Sequence, residues 1–323
     1  MQPVPIQFVG IDVGKTELAV VIQPAGIRGT FPNTARGHRH LLKHLGPEPA
    51  CIVLEATGRY HRAVHQALAA ADRPAAVIDP ARVHGFRISE GLKAKTDRLD
   101  AELLARYAEQ KRPAPSPLPS PARTALTDWV RTRDFLLGQR QALLNRQAEM
   151  PTALQRGHGQ LIRAYDRQIA AADQAIARII ATDPVLAAQA ALLTSVSGIG
   201  DVTAAALLAL LPELGTVSAK AIASLAGVAP RDNQSGKTDK RKHLRGGRGR
   251  LRQALYLAML STTRWDPVMR THYQQLLARG KPKKVALLAC ARRTLGILNA
   301  MVREGLTWQQ TAVGQGRFLP SPP

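Results

Sequence analysis

The segment Gln7-Phe-Val-Gly-Ile-Asp-Val-Gly-Lys-Thr-Glu-Leu-Ala-Val-Val-Ile22 decides the fold, because it places one carboxylate, Asp12, in an apolar stretch flanked by glycines. Its pattern predicts a buried strand up to Asp12, a tight turn at Val13–Lys15 and a second strand over Glu17–Ile22. Burying a carboxylate without a partner costs several kcal/mol. Asp12 therefore either caps the turn by accepting bonds from backbone amides or binds a cation.

Three more acids follow related patterns. Cys51–Glu55 is an apolar strand that ends in a carboxylate and precedes a Thr-Gly turn and a helix predicted from about 59 to 71. Thr96 is a candidate N-cap for a helix whose first turn carries Asp97 and Asp100 on one face. Carboxylates placed so closely repel each other unless a cation compensates them. Hard divalent cations prefer such oxygen clusters and can hold the oxygens of a phosphodiester. The candidate Mg²⁺ ligands are Asp12, Glu55, Asp97 and Asp100.

The sequence around these acids resembles a known family. The matching stretches are Gly10-Ile-Asp-Val-Gly-Lys15, Leu54-Glu-Ala-Thr-Gly-Arg-Tyr60 and Lys95-Thr-Asp-Arg-Leu-Asp-Ala101, which are similar to the signatures of the DEDD insertion-sequence transposases. The resemblance covers nearly the whole chain. It implies an N-terminal α/β domain of the RNase H or RuvC-like type, in which the four acids are catalytic and Mg²⁺ is the cofactor. It also implies a C-terminal transposase domain with a serine nucleophile and a recombinase guided by a bridge RNA.

The charge balance indicates a polyanionic partner. The chain has 45 Lys and Arg against 23 Asp and Glu, a net charge of +22, which points first to nucleic acid. The two cysteines, Cys51 and Cys290, have the spacing of neither a zinc site nor a disulfide framework, which favours a reducing cytosol. No signal peptide opens the chain, and the apolar stretch Val202–Leu211, taken as the longest, is too short to cross a bilayer. We expect a cytoplasmic prokaryotic protein, associated with the nucleoid when active and without a membrane role.

Residues 1–110 alternate strands and helices, which predicts the α/β domain. Three strands are expected between residues 7 and 30, a helix over Ala35–Leu45, and a strand over Ala75–Asp79 that Pro80 ends. The histidines of the two helices that precede this last strand lack an acid or cysteine at ligand spacing. We therefore expect them to lie on exposed helix faces; they are His38, His40, His44, His61 and His65.

The middle of the chain predicts a linker and a helical hairpin. Residues 111–121 have proline at every second position in their central run, which excludes a helix or central strand and indicates a stiff linker. Residues 122–185 have the apolar spacing of an antiparallel hairpin or coiled coil, with Gly157 and Gly159 as its predicted tip. The arginines interleaved there either contact nucleic acid and a second protomer or keep one face in water. Residues 186–313 then form the predicted, mainly helical transposase domain, and residues 314–323 a disordered tail.

Ser195–Gly200, followed by an apolar run, predicts a helix-hairpin-helix in the C-terminal domain. Gly198 and Gly200 would leave backbone amides at a helix N-terminus free to bind a phosphate. A plain glycine turn between two apolar helices is the alternative. In either case the segment reads no bases.

A glycine-rich basic loop covers residues 231–252. Ser235-Gly236 and the later Gly246-Gly247-Arg248 resemble the C-terminal signature of the family, and this resemblance implies that Ser235 is the recombinase nucleophile. Without it, the Ser-Gly pair predicts only a turn. The predicted phosphate contacts of the loop are Lys237, Lys240, Arg241, Lys242, Arg245, Arg248 and Arg250.

Three functions fit these observations. The first is an RNA-guided recombinase that cuts target and donor DNA through the metal site and Ser235 and acts as a homo-oligomer, a dimer or a tetramer. In it the bridge RNA carries the sequence specificity. The second is a RuvC-like metal-dependent junction nuclease, which leaves Ser235 without a role. The third is a structural nucleic-acid-binding protein whose acids only organise the fold, and four acids from distant segments argue against it.

Overall fold

The computed structural model describes residues 7–47, 50–56, 58–92, 97–147, 149–230, 234–235, 238–239 and 246–311, with only the backbone of residues 97–98, 234–235 and 238–239. The chain divides into two compact units, Met1–Leu118 and Pro119–Pro323, which we call the N-terminal and the C-terminal unit. The first is mixed α/β and the second is mostly helical. The predicted N-cap Thr96 and the predicted tail 314–323 lie outside the described residues.

A five-stranded sheet forms the centre of the N-terminal unit. Its strands are β1 (Gln7–Val13), β2 (Glu17–Gln23), β3 (Ile27–Pro32), β4 (Ala50–Glu55) and β5 (Ala75–Ile78), and their spatial order is β3-β2-β1-β4-β5. The first three form an antiparallel meander, whereas β1, β4 and β5 run parallel. The strands predicted from the apolar runs are thus confirmed. Parallel pairing brings the carboxyl ends of β1, β4 and β5 to the same edge of the sheet.

Helices cover both faces of this sheet. On one face, Leu41 of α1 (Ala35–Leu45) and Leu68 of α2 (His61–Ala70) pack against Ile11 and its neighbours. On the other face lie α3 (Pro80–Ser89) and α4 (Asp97–Lys111). Gly10 of β1 allows α4 to approach closely, because a Cβ there would lie 2.1 Å from the carbonyl oxygen of Ala101.

Helix α3 was not predicted, because Pro80 was interpreted only as the end of a strand. In the structure Pro80 is the first residue of the helix, where its fixed φ and missing N–H cost nothing. Asp79 caps the helix, and its carboxylate accepts a 2.8 Å bond from the Ala81 N–H. The sequence therefore contained the start signal of α3.

Two histidines expected on exposed faces are buried. His38 bonds Asn33 Oδ1 at 2.8 Å, and His65 bonds the carbonyl oxygen of Ser116 at 3.2 Å. Burial lowers the pKa of both rings. Ser116 belongs to the proline-rich segment, which contains no helix or strand over residues 112–120, as predicted. Because the Ser116 N–H also donates to Ala75 at 3.0 Å, this part of the segment is attached to β5.

A long antiparallel hairpin opens the C-terminal unit. It consists of α5 (Pro121–Gln147) and α6 (Thr152–Thr182), and the ion pairs Arg133–Asp173 and Arg140–Asp166, both 2.5 Å long, join the two helices. The hairpin itself was predicted, but its tip was not placed correctly. The connection lies just before Pro151, whereas Gly157 and Gly159 lie inside α6. Glycine in a helix costs only about 1 kcal/mol relative to alanine, so it need not mark a turn.

The remaining helices pack around one hydrophobic core. They are α7 (Pro184–Thr194), α8 (Asp201–Leu210), α9 (Ala219–Leu225), α10 (Gly249–Trp265), α11 (Pro267–Ala278), α12 (Lys283–Glu304) and a 3₁₀ turn at Trp308–Gln310. The strands β6 (Gln234–Ser235) and β7 (Thr238–Asp239) form a separate two-stranded sheet. By length and composition α12 could cross a bilayer, so Val202–Leu211 is not the longest apolar stretch. Half of that window is buried in the protein, and Cys290, Leu295 and Leu298 lie in the core. Helices α6 and α7 meet the same criteria of length and composition only if they are counted together as one span, and the chain bends by 108° between them.

Candidate active site and nucleic-acid contacts

Two of the predicted acids lie side by side at one edge of the sheet. Asp12 is near the carboxyl end of β1 and Glu55 ends β4, and the parallel register pairs Ile11 with Leu54 immediately before them. Neighbouring strands are about 4.8 Å apart, so the backbones of the two acids are adjacent. Both side chains are half-buried. The turn after β1 is closed by backbone, since the Gly14 N–H donates to Glu17.

Both carboxylates face helix α4. Asp12 follows Gly10 by two residues, and Gly10 lies directly against the backbone of α4. Glu55 follows Val53 by two residues, and Val53 belongs to the same hydrophobic cluster as Leu104 of α4. Side chains two residues apart in a strand point to the same face. The two acids are therefore on the face that α4 covers.

Helix α4 brings a third acid, Asp100, to this face. Asp100 lies in its first turn and is only 5% exposed. Arg87 of α3 donates from its Nη2 to Asp100 Oδ1, and only 11% of its own side chain is exposed, so a cation compensates the carboxylate. Asp97 is the first residue of α4, but its side chain lies outside the described residues. Arg87 was not identified from the sequence, because no local spacing connects it with Asp100.

The acids fit a divalent cation in their chemistry. Carboxylate oxygens are the ligands that Mg²⁺ and Mn²⁺ prefer. Among the described side chains, however, no group of three or more acids, histidines or cysteines is arranged to hold a metal ion. Asp100 bonds Arg87, and Asp12 and Glu55 also take part in interactions within the chain. The described acids thus converge on one region without forming a complete ligand set.

Ser235 lies on a short hairpin in the C-terminal unit. It is the second residue of β6 and pairs with Thr238 of β7. Its side chain lies outside the described residues. The same holds for the side chains of the loop cations Lys237, Lys240, Arg241, Lys242 and Arg245.

The glycines predicted to bind phosphate occupy the connection between α7 and α8. Gly198 has a φ of 90°, and a Cβ there would lie 2.5 Å from the backbone nitrogen of Thr262. Close packing against α10 therefore explains this glycine. Gly200 is exposed at the N-cap of α8, but the next residue is Asp201, whose charge would oppose a phosphate. Phosphate binding at the two glycines stays a prediction.

Arg248 and Arg250 form ion pairs within the C-terminal unit. Arg248 donates to both oxygens of Glu213, at 2.6 and 2.7 Å, and Arg250 donates to Asp134 from α10 across to α5. Burial acts to raise the pKa of Glu213, but the bonds and charge of Arg248 prevail and hold that pKa below its usual range. These ion pairs attach the start of α10 to Glu213 and to helix α5. Their contact with nucleic acid also stays a prediction.

Two family models match the chain. Residues 9–156 match the model for DEDD transposases of IS110, described as Transposase, and residues 190–274 match the Transposase IS116/IS110/IS902 family. The predicted acids lie in the first range, and Ser235 and the predicted phosphate contacts lie in the second.

Similar proteins extend over most of the chain. The "Pilin gene-inverting protein" of Moraxella lacunata and that of Moraxella bovis are each 28% identical to it over 308 residues, which are 92% of this chain and 96% of theirs. The "Insertion element IS110 uncharacterized 43.6 kDa protein" of Streptomyces coelicolor is 39% identical over 120 residues, 36% of this chain and 29% of that protein.

Proposed function

Because the chain belongs to the DEDD insertion-sequence transposase family, we propose that it is an RNA-guided DNA recombinase that exchanges strands through bound metal and a serine nucleophile. A transposase acts on DNA, and the basic C-terminal unit suits a phosphodiester partner. The strand order β3-β2-β1-β4-β5, with an antiparallel meander before two parallel strands, supports an RNase H or RuvC-like fold for the N-terminal unit. The helices α7 and α8 would form the helix-hairpin-helix of the transposase domain.

The placement of Asp12, Glu55 and Asp100 on one face of the sheet carries the catalytic part of the proposal. With Asp97 in the same first turn of α4, these acids would hold Mg²⁺. When bound, Mg²⁺ neutralises charge on the scissile phosphate and on the oxygens that attack and leave. Arg87 bonds the buried Asp100 carboxylate and compensates its charge.

Ser235 would attack the phosphorus of the scissile phosphodiester through its Oγ. The new bond joins serine to phosphate, the bond to one deoxyribose oxygen breaks, and that oxygen leaves as a hydroxyl after taking up a proton. The serine proton must pass to a base, because a serine hydroxyl is a weak nucleophile at neutral pH. The reverse attack by a deoxyribose hydroxyl of another strand restores Ser235. Acids and serine from different protomers of a dimer or tetramer would complete the site.

The serine step is tested with Ser235→Ala, which removes one oxygen and keeps the charge of the loop. We expect the variant to bind DNA and guide RNA with wild-type affinity but to form no SDS-resistant protein–DNA adduct and no recombinant product. Ser224→Ala, on helix α9, is the matched control and should keep both. Wild-type recombination by Ser235→Ala would remove the serine from the mechanism. Metal-dependent nicking without any adduct in the wild type would favour a RuvC-like nuclease.

A further inference from the structure

The last two long helices of the chain carry no acid before Glu304, the final residue of α12. From Pro267 to Arg303 the sequence has eight Lys and Arg and neither Asp nor Glu. Four of these cations lie within six residues at the turn between α11 and α12. We call Arg279, Lys281, Lys283 and Lys284 the basic turn. All four are exposed.

The cations of the basic turn differ from several arginines of the C-terminal unit in how they are compensated. Arg133, Arg140, Arg248 and Arg250 each pair with a carboxylate. Within the part of the chain that the structure describes, no member of the basic turn forms an ion pair. Close, uncompensated cations repel each other, and a polyanion would relieve this repulsion.

The backbone of the basic turn is held in a defined conformation. Gly280 adopts a φ of 74°, its N–H donates to Leu277 at 2.9 Å, and the Lys281 N–H donates to Leu276 at 3.1 Å. These bonds close the end of α11, and Pro282 then precedes α12. The four side chains therefore start from ordered positions, so that contact with a ligand orders only the side chains.

We propose that the basic turn binds the phosphodiester backbone of nucleic acid, as a contact surface separate in sequence from the loop 231–252. The proposal rests on the proposed function, which supplies a nucleic-acid substrate. Three of the four cations are lysines, which act as mobile point charges toward phosphate rather than as bidentate readers of bases. The contact should therefore be independent of base sequence and sensitive to salt.

The test compares two variants of the full chain that each remove three positive charges. Lys281→Gln/Lys283→Gln/Lys284→Gln changes the basic turn, and Arg36→Gln/Arg39→Gln/Lys43→Gln changes exposed cations of α1. Both lower the net charge from +22 to +19. The dissociation constants for a random-sequence DNA duplex and for a structured RNA of similar length are measured between about 50 and 200 mM salt, the range in which such contacts are most sensitive.

We expect the basic-turn variant to lose ~10- to 100-fold in affinity. For the duplex, the plot of the logarithm of the association constant against the logarithm of the salt concentration should become flatter, its slope decreasing in magnitude by up to about 2.7. The control should change either quantity much less. Loss with DNA alone assigns the contact to DNA, loss with RNA alone assigns it to RNA, and loss with both assigns it to the shared backbone. The charge-preserving variant Lys281→Arg/Lys283→Arg/Lys284→Arg should bind as the wild type does, which excludes misfolding as the cause.

Equal losses in the two glutamine variants, or no loss in either, would overturn the proposal. If the wild type still cleaves DNA in that case, the proposed function stands and only the proposal that the basic turn binds nucleic acid is refuted. If the wild-type protein binds neither polymer, both fall together.

Discussion

The two units differ in the balance of basic and acidic residues and in how their cations are paired. The N-terminal unit has 16 Lys and Arg against 11 Asp and Glu, whereas the C-terminal unit has 29 against 12. In the first, acids gather on one face of a sheet and the guanidinium of Arg87 compensates the buried Asp100. In the second, some arginines are paired with carboxylates, whereas three lysines and one arginine lie exposed at the basic turn. The total charge therefore indicates the partner, but only the pairing of each cation indicates where that partner binds.

The largest effect is expected at the contact between sheet and helix that positions the acids. Gly10→Ala would place a Cβ 2.1 Å from the Ala101 carbonyl oxygen, and α4 would have to move away from β1. We expect a loss of about 4 kcal/mol or more in the free energy of unfolding of the N-terminal unit. Thermal and urea unfolding followed by circular dichroism would measure it.

Gly85→Ala is the matched control for Gly10→Ala. Gly85 lies exposed in α3, and a Cβ added there would have no atom within 4 Å. Alanine should stabilise that helix by about 0.5–1 kcal/mol. An equal loss of stability in both variants would mean that close packing of α4 on β1 is not what holds the acids in place.

A smaller effect is expected from the buried ion pair. Arg87→Met leaves Asp100 buried without a cation, which should cost ~3–5 kcal/mol of stability. Arg106→Met, which breaks exposed ion pairs of the same unit, should cost less than about 1 kcal/mol. The comparison requires denaturant unfolding curves of both variants at pH 7.

The double variant Arg87→Met/Asp100→Asn sharpens the same comparison. It removes both charges, so its loss of stability should be smaller than the sum of the two single losses. Additive losses would show that Arg87 and Asp100 do not interact in solution, and the contrast between buried and exposed cations would then fail for this pair.

Local patterns in the sequence were enough to predict most of the sheet and to place Asp12 and Glu55 at strand ends in one candidate set of metal ligands. Apolar runs define the strands, and parallel strands bring their carboxyl ends together whatever the intervening loops contain. Helix α3 could also have been found, because Asp79 and Pro80 are an N-cap and a first helical residue.

Contacts between distant segments could not be predicted. Arg87 meets Asp100 only because α3 and α4 pack on the same face, and His65 is buried only because Ser116 returns to β5. The pairing of Arg248 with Glu213 and of Arg250 with Asp134 likewise depends on tertiary packing. Composition shows that these cations exist, but it cannot show which of them are already compensated within the protein.

The most direct test of the central claim is DNA strand cleavage by Asp12→Asn, measured together with DNA binding in the presence of Mg²⁺. The change removes one charge and almost no volume, and Glu109→Gln, at an exposed position of α4, is its control. We predict that Asp12→Asn binds DNA as the wild type does but loses cleavage by about 10³-fold or more, because in the proposed mechanism the acid holds the metal that stabilises the transition state. Wild-type cleavage by Asp12→Asn, with Glu109→Gln unchanged, would contradict the assignment of the active site to this face of the sheet.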